Sequence, residues 1–334
     1  MPALPLIDLT PLRLRPHSSA AQATIADLTA ACRDPGFCYL AGHGIDPAIE
    51  RAAQRVANDF FALPKVQREA LAIGNSAHFR GYTLLGDERT QGISDWRDQL
   101  DVGPEEVAWE LQPDSPPWLK LRGPNQWPAA LPEMAPATLA WMHAMESLGL
   151  CVVRGLAQGL GQSHDAFDDY VLPNPDVHVK IIRYPAQNSA RDTGQGVGLH
   201  HDSGLLSFIL QDTTAGLEVQ TTNGMLLAEP IAGTYVMNLG EMLQSASGGY
   251  LRATKHRVQS PPPNRQRLSL AYFYNPRLEA VFAPVDLPAE LAAQVGELPP
   301  SDPDDPIHTT FGDNTLKIRL RAHPDVRARF YSED

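Results

Sequence analysis

The chain has 334 residues, enough to bury a large core in one big domain or two modest ones, and its 43% hydrophobic and 20% charged residues are those of a soluble globular protein. Its net charge of −12 comes without any Lys/Arg block, which excludes a nucleic-acid-binding footprint and requires any bound anion to be held by a few internal cations. No apolar run approaches the ~20 residues of a membrane helix, and no membrane partner is expected. The opening MPALPLIDLTPLRLRP shows no secretory-leader pattern. Cys32, Cys38 and Cys151 have no metal spacing and read as free thiols of a reducing cytoplasm.

Residues 1–10 contain a short apolar stretch that reads as a first strand. Residues 19–34 read as a helix with Ile25, Leu28 and Cys32 on one face. GFCYLAGHGI (36–45) is a strand and a Gly-rich turn, and 46–63 a second helix opening at a cap-like Asp46 followed by Pro47. Residues 103–136 are rich in Pro and Trp, and Trp118, Trp127 and several leucines argue for a packed connector instead of a free linker. A long helix over about 135–160 follows, with Leu139, Met142, Met145 and Leu148 on one face. From VHVKIIRYP (177–185) the character changes to short apolar runs between turn residues: LLSFILQ, GLEVQ, TYVMNLG, HRVQS and RLSLAYFYN. This is the pattern of an antiparallel sandwich or barrel. The tail, 285–334, reads as helical again.

Within GLHHDSGLLSFIL (198–210), alternation along a strand puts His200 and Asp202 on one face and His201 on the other. An imidazole beside a carboxylate supplies two of the three ligands of a 2-His-1-carboxylate facial triad, which leaves positions open on a non-haem Fe(II). A second His-x-Asp, His323-Pro324-Asp325, has a proline at its centre and no later histidine, and reads as a helix-start turn. Downstream of the first pair, His256 lies in a short β-like run. In RLSLAYFYNP, Arg267, Ser269, Ala271 and Phe273 share one face. An inward arginine in a barrel is costly unless an anion meets it, and a guanidinium beside a hydroxyl suits bidentate capture of a carboxylate.

These segments, GLHHDSGLLSFILQD, HRV and RLSLAYFYNP, resemble the Fe(II)/2-oxoglutarate dioxygenases of the isopenicillin-N-synthase-like superfamily. LPLIDLT, GFCYLAGHGI, FFALP and RGYTLLGDE match its N-terminal landmarks, so the resemblance covers nearly the whole chain. It implies an α+β fold with a mainly β core: a double-stranded β-helix, or distorted jelly roll (a cupin-like barrel), flanked by helices. One domain over 1–334 is expected, with an N-terminal region at 1–135 carrying substrate-side loops, a jelly-roll core at 177–280 carrying the iron site, and a helical tail at 285–334. The resemblance assigns His200, Asp202 and His256 as iron ligands. Arg267, Ser269 and Tyr184 would hold the distal carboxylate of 2-oxoglutarate. Lys180, on Tyr184's face, would pair with the cosubstrate or with a substrate anion. Lining for a small-molecule substrate is expected from Arg80, Tyr82, Thr83, Glu88 and Phe273. Ile182 replaces the asparagine usual in plant members, and Glu241 the aspartate of the usual Gly-Asp.

The implied activity is oxidation of a substrate C–H bond by O2, coupled to decarboxylation of 2-oxoglutarate to succinate, in a monomer or weak homo-oligomer. Two other readings stand beside it. One is an Fe(II) oxidase of the isopenicillin N synthase type that needs no 2-oxoglutarate, suggested by IRYPAQ. The other is a barrel that binds a small ligand without catalysis. The chain carries no P-loop, dinucleotide fingerprint or Gly-x-Ser-x-Gly motif, and Glu146 and Asp165 have no partner carboxylate at a telling spacing.

Overall fold

The computed structural model describes residues 3–186, 194–296 and 308–331. The apolar opening forms strand β1 (Leu6–Asp8), but Thr10-Pro11 then starts a short helix, α1 (Thr10–Leu14), that buries Leu12. Ser18 accepts a hydrogen bond from the Ala21 amide and starts α2 (Ser19–Arg33). Strand β2 (Phe37–Ala41) follows, and Asp46 caps α3 (Pro47–Ala62) from the side chain, with proline at the first helical position. After α4 (Lys65–Glu69) come β3 (Gly81–Thr83), the hairpin β4 (Arg89–Thr90) and β5 (Ile93–Ser94), and β6 (Asp98–Val102). Of the proline-rich connector, Trp118 is buried, whereas Val107 and Trp109 stand in solvent. The long helix α5 (Met134–Gly159) matches the expected span, and α6 (Asp168–Val171) is a single turn.

The apolar runs of the second half become β7 (Asp176–Tyr184), β8 (Gln195–His200), β9 (Leu206–Gln211), β10 (Leu217–Thr221), β11 (Gly224–Leu227) and β12 (Tyr235–Leu239). Helix α7 (Glu241–Ala246) leads to β13 (His256–Gln259) and β14 (Arg267–Asn275). The described part of the tail holds α8 (Ala289–Ala292), α9 (Phe311–Ala322) and α10 (Pro324–Phe330). His323 does sit at the start of a helix, as its proline implies, but it is buried.

Eight strands form one sheet in the order β1-β2-β12-β9-β14-β7-β6-β3, and four form a second, β11-β10-β13-β8. All the pairings are antiparallel except β1 with β2. The larger sheet is buried on both faces, which is why β14 reads as a nearly continuous apolar run. One face packs on α2, α3 and α5 through residues such as Leu28, Phe60, Trp141 and Tyr272. The other meets the small sheet through a smaller apolar cluster that includes Ile182, Val197, Leu217 and Val258. Among the described residues, no helix is long and apolar enough to cross a membrane.

Candidate active site

Between the two sheets lies a cavity of about 930 Å3. Alternation dictates its lining. From β7 come Asp176, His178, Lys180, Ile182 and Tyr184, and from β14 Arg267, Ser269, Ala271, Phe273 and Asn275. The two strands pair in register, Arg267 opposite Tyr184 at one end and Asn275 opposite Asp176 at the other.

His200 and His256 are direct neighbours on β8 and β13, with ring centroids 4.3 Å apart. Strand β8 ends at His200, and Asp202 lies just beyond it, bridged to Gly240. A Cβ at Gly240 would overlap the backbone of Gly204, so glycine permits this close docking. Asp202 Oδ2 accepts hydrogen bonds from Ser207 Oγ (2.6 Å) and Asn238 Nδ2 (2.7 Å). Its Oδ1 lies 3.6 Å from His200 Nε2 and 3.8 Å from His256 Nε2. Two donors each ~2.1 Å from one ion stand no more than about 4.2 Å apart, so both separations admit a shared metal.

The donor chemistry agrees. His200 Nδ1–H donates to the Gly198 carbonyl at 2.8 Å, which leaves the Nε2 lone pair aimed at Asp202. Burial, and then the neighbouring His256, push His200 down to about 4, so the imidazole is neutral at pH 7. Burial alone would raise the Asp202 carboxyl, but the two imidazoles and the bonds from Asn238 and Ser207 hold it below its ordinary value. Of the described residues, His200, Asp202 and His256 are the one group of three or more such side chains placed to share an ion.

At the far end of the β7–β14 ladder, Arg267 is 1% exposed. It donates to Ser269 Oγ at 3.2 Å and to Gln211 Oε1 at 2.9 Å, and its guanidinium carbon is 5.0 Å from the Tyr184 ring centroid. Among the described residues it makes no ion pair, and its Nε has no hydrogen-bond partner. A buried, unpaired guanidinium beside a hydroxyl is built for a carboxylate.

Several substrate-side expectations need correction. Arg80, Tyr82 and Thr83 are buried but do not line the cavity. Tyr82 donates to Asp98 Oδ2 at 2.6 Å, beside Arg68 and Arg183 on the same carboxylate, so it belongs to a packing network. Arg80 donates to the carbonyls of His78 and Leu121. Strand β3 pairs with β6 at the outer edge of the sheet, which carries these residues away from the metal group.

Glu88 and Phe273 do line the cavity, but Glu88 is engaged by Arg97, Gln99 and Lys180. Lys180 lies 3.4 Å from Glu88 and 3.9 Å from Asp101 and is therefore already neutralised. His201, expected to face away, contributes to the wall because the chain leaves the strand after His200.

The sequence reading missed Asp176, His178, Arg319 and His323 at this cavity. Alternation back from Lys180 would have found the first two. No local signal marked the face of α9.

The N-terminal residues 4–130 match the family described as non-haem dioxygenase in morphine synthesis, N-terminal, and residues 176–276 match the 2OG-Fe(II) oxygenase superfamily. A 2-oxoglutarate-dependent dioxygenase, frbJ, of Dothideomycetidae sp. (strain 11243) is 31% identical over 97% of this chain and 90% of its own. The chain belongs to the 2OG-Fe(II) oxygenase superfamily. This oxygenase is also 31% identical to homoarginine-6-hydroxylase 2-ODD-C23.2 of Arabidopsis thaliana, over 85% of this chain and 80% of that one. Among solved structures it resembles a full-length Neurospora crassa protein in complex with alpha-KG, with a TM-score of 0.72 and 26% identity, covering 84% of this chain and 88% of that one. It is an Fe(II)- and 2-oxoglutarate-dependent dioxygenase.

Proposed function

We propose that His200, Asp202 and His256 hold the Fe(II), that Arg267, Ser269 and Tyr184 hold the distal carboxylate of 2-oxoglutarate, and that the enzyme hydroxylates a small molecule. The observation that carries this reading is the pairing, in one cavity, of a metal-shaped triad with a buried guanidinium that has no ion-pair partner among the described residues. Iron bound there supplies O2-dependent C–H oxidation, coupled to decarboxylation of 2-oxoglutarate to succinate. The chain's own part is geometric. Ser207 and Asn238 orient Asp202, and the Gly198 carbonyl orients His200. Hydroxylation is favoured because several relatives are named homoarginine-6-hydroxylases.

The two facing sheets fit a double-stranded β-helix, in one domain over 1–334 whose 1–135, 177–280 and 285–334 regions serve as substrate side, iron-bearing core and tail. Buried free thiols at Cys32 and Cys38 suit a reducing cytoplasm, and the enzyme is read as a monomer or weak homo-oligomer. The test is O2-dependent succinate release by the iron-loaded protein, with 2-oxoglutarate supplied and withheld, in wild type and in Asp202→Ala. Succinate from wild type alone supports the reading. Equal release from the variant would overturn it.

A further inference from the structure

The charged side chains around the cavity are paired off, with few exceptions. Glu88 and Asp95 share Arg97, and Asp95 also accepts from Thr90, Gln195 and the Gly198 amide. Asp101 accepts from His178 at 2.8 Å and from Gln99 at 2.7 Å. Lys180 sits between Glu88 and Asp101. Arg267, Arg319 and Asp176 line the cavity buried or half-buried and make no ion pair among the described residues. Arg267 is already accounted for by the cosubstrate.

Asp176 is 5% exposed, and no described group donates a hydrogen bond to its carboxylate. A buried carboxylate left in this way is costly unless a ligand meets it. Arg122, Arg319 and Arg80 act on it from a distance without bonding it; Arg122 is paired with Glu106 and Arg80 is bonded to backbone carbonyls. Arg319 is half-buried on the face of α9 that also presents Phe311, Thr315 and Ile318 to the cavity. Its guanidinium lies over the Phe79 ring at 6.0 Å and has no hydrogen-bonded partner among the described residues. Asp176 and Asn275 close the β7–β14 ladder about 26 Å from Arg267 and Tyr184, at ~3.3 Å per residue, so this end is not the cosubstrate's.

Building on the iron and 2-oxoglutarate assignment above, we propose that Arg319 and Asp176 form a zwitterion-reading end wall, and that the substrate is a free α-amino acid. Arg319 takes its carboxylate and Asp176 its ammonium. An unbonded cation and anion facing one cavity suit a ligand that carries both charges. A simple anion would leave Asp176 unmatched, and a simple cation would leave Arg319 unmatched.

The wild-type chain, loaded anaerobically with Fe(II) and 2-oxoglutarate, is titrated calorimetrically with the common free L-amino acids and L-homoarginine. Any binder is then compared with its N-acetyl and carboxamide forms. The expected result is at least one binder, weakened about 30-fold or more by blocking either group. Asp176→Asn should erase the penalty of N-acetylation and Arg319→Gln that of amidation, with 2-oxoglutarate affinity unchanged. Should a variant fail to fold, the comparison of blocked and free forms on wild type stands alone. No amino-acid binder, or equal binding of blocked forms, alongside normal 2-oxoglutarate binding overturns the end wall and leaves the enzyme assignment standing. Failure of 2-oxoglutarate itself to bind overturns both.

Discussion

Arg267 faces Tyr184 across the β14–β7 ladder, its guanidinium carbon 5.0 Å from the ring centroid. The ring covers the apolar face of the guanidinium while Ser269 and Gln211 take two of its N–H groups. The fork is thereby fixed before any carboxylate arrives, which lowers the cost of binding one.

Arg267→Lys keeps the charge and loses the fork. The KM for 2-oxoglutarate should rise about 30-fold or more, with a smaller change in kcat. Steady-state kinetics with varied 2-oxoglutarate decides it, and an unchanged KM would remove Arg267 from the cosubstrate site.

Asn238 is fully buried and donates to Asp202 Oδ2. Asn238→Ala should weaken iron binding by about 10–100-fold, as loss of a group that orients a metal ligand does elsewhere. Competition with a chelator of known affinity measures this.

Asp98 gathers Arg68, Arg183 and the Tyr82 hydroxyl on one buried carboxylate. Asp98→Ala strands two guanidiniums and should cost about 3–5 kcal/mol of stability. Urea unfolding reads the loss. Asp98 does not line the cavity, so any folded fraction should keep its affinity for 2-oxoglutarate.

Burial, reinforced by Arg319, pushes His178 down to about 3. Above about pH 6.5 this histidine is neutral in both the folded and unfolded chains and contributes no pH dependence. Below that, the unfolded chain takes up a proton that the folded one refuses, so stability falls toward about pH 3, by up to ~1.4 kcal/mol per pH unit. Urea midpoints should drop between pH 7 and pH 5, and less in His178→Gln, whose amide can still donate to Asp101.

The inward faces of β7 and β14 were legible because side chains alternate across a strand, and a single registered ladder carries that alternation through nine residues on each strand. The metal group was legible for a related reason: His200 and Asp202 are close in sequence and His256 falls in its own β-like run. The substrate side was not. Arg80, Tyr82 and Thr83 lie in or beside a short edge strand whose place is set by long-range pairing with β6, which no local pattern encodes. Arg319 and His323 reach the cavity only through the packing of the last helices. Lys180 and Glu88 line the cavity, but their mutual neutralisation depends on Arg97 and Asp101 arriving from elsewhere in the chain.

Anaerobic titration of the Fe(II)-loaded chain with 2-oxoglutarate, followed by the visible charge-transfer band that chelation produces, tests the iron and cosubstrate site most directly. The account predicts a band saturating at about one 2-oxoglutarate per chain, absent in Asp202→Ala and shifted to higher concentration in Arg267→Lys. A band of full intensity in Asp202→Ala, or none in the iron-loaded wild type, would contradict it.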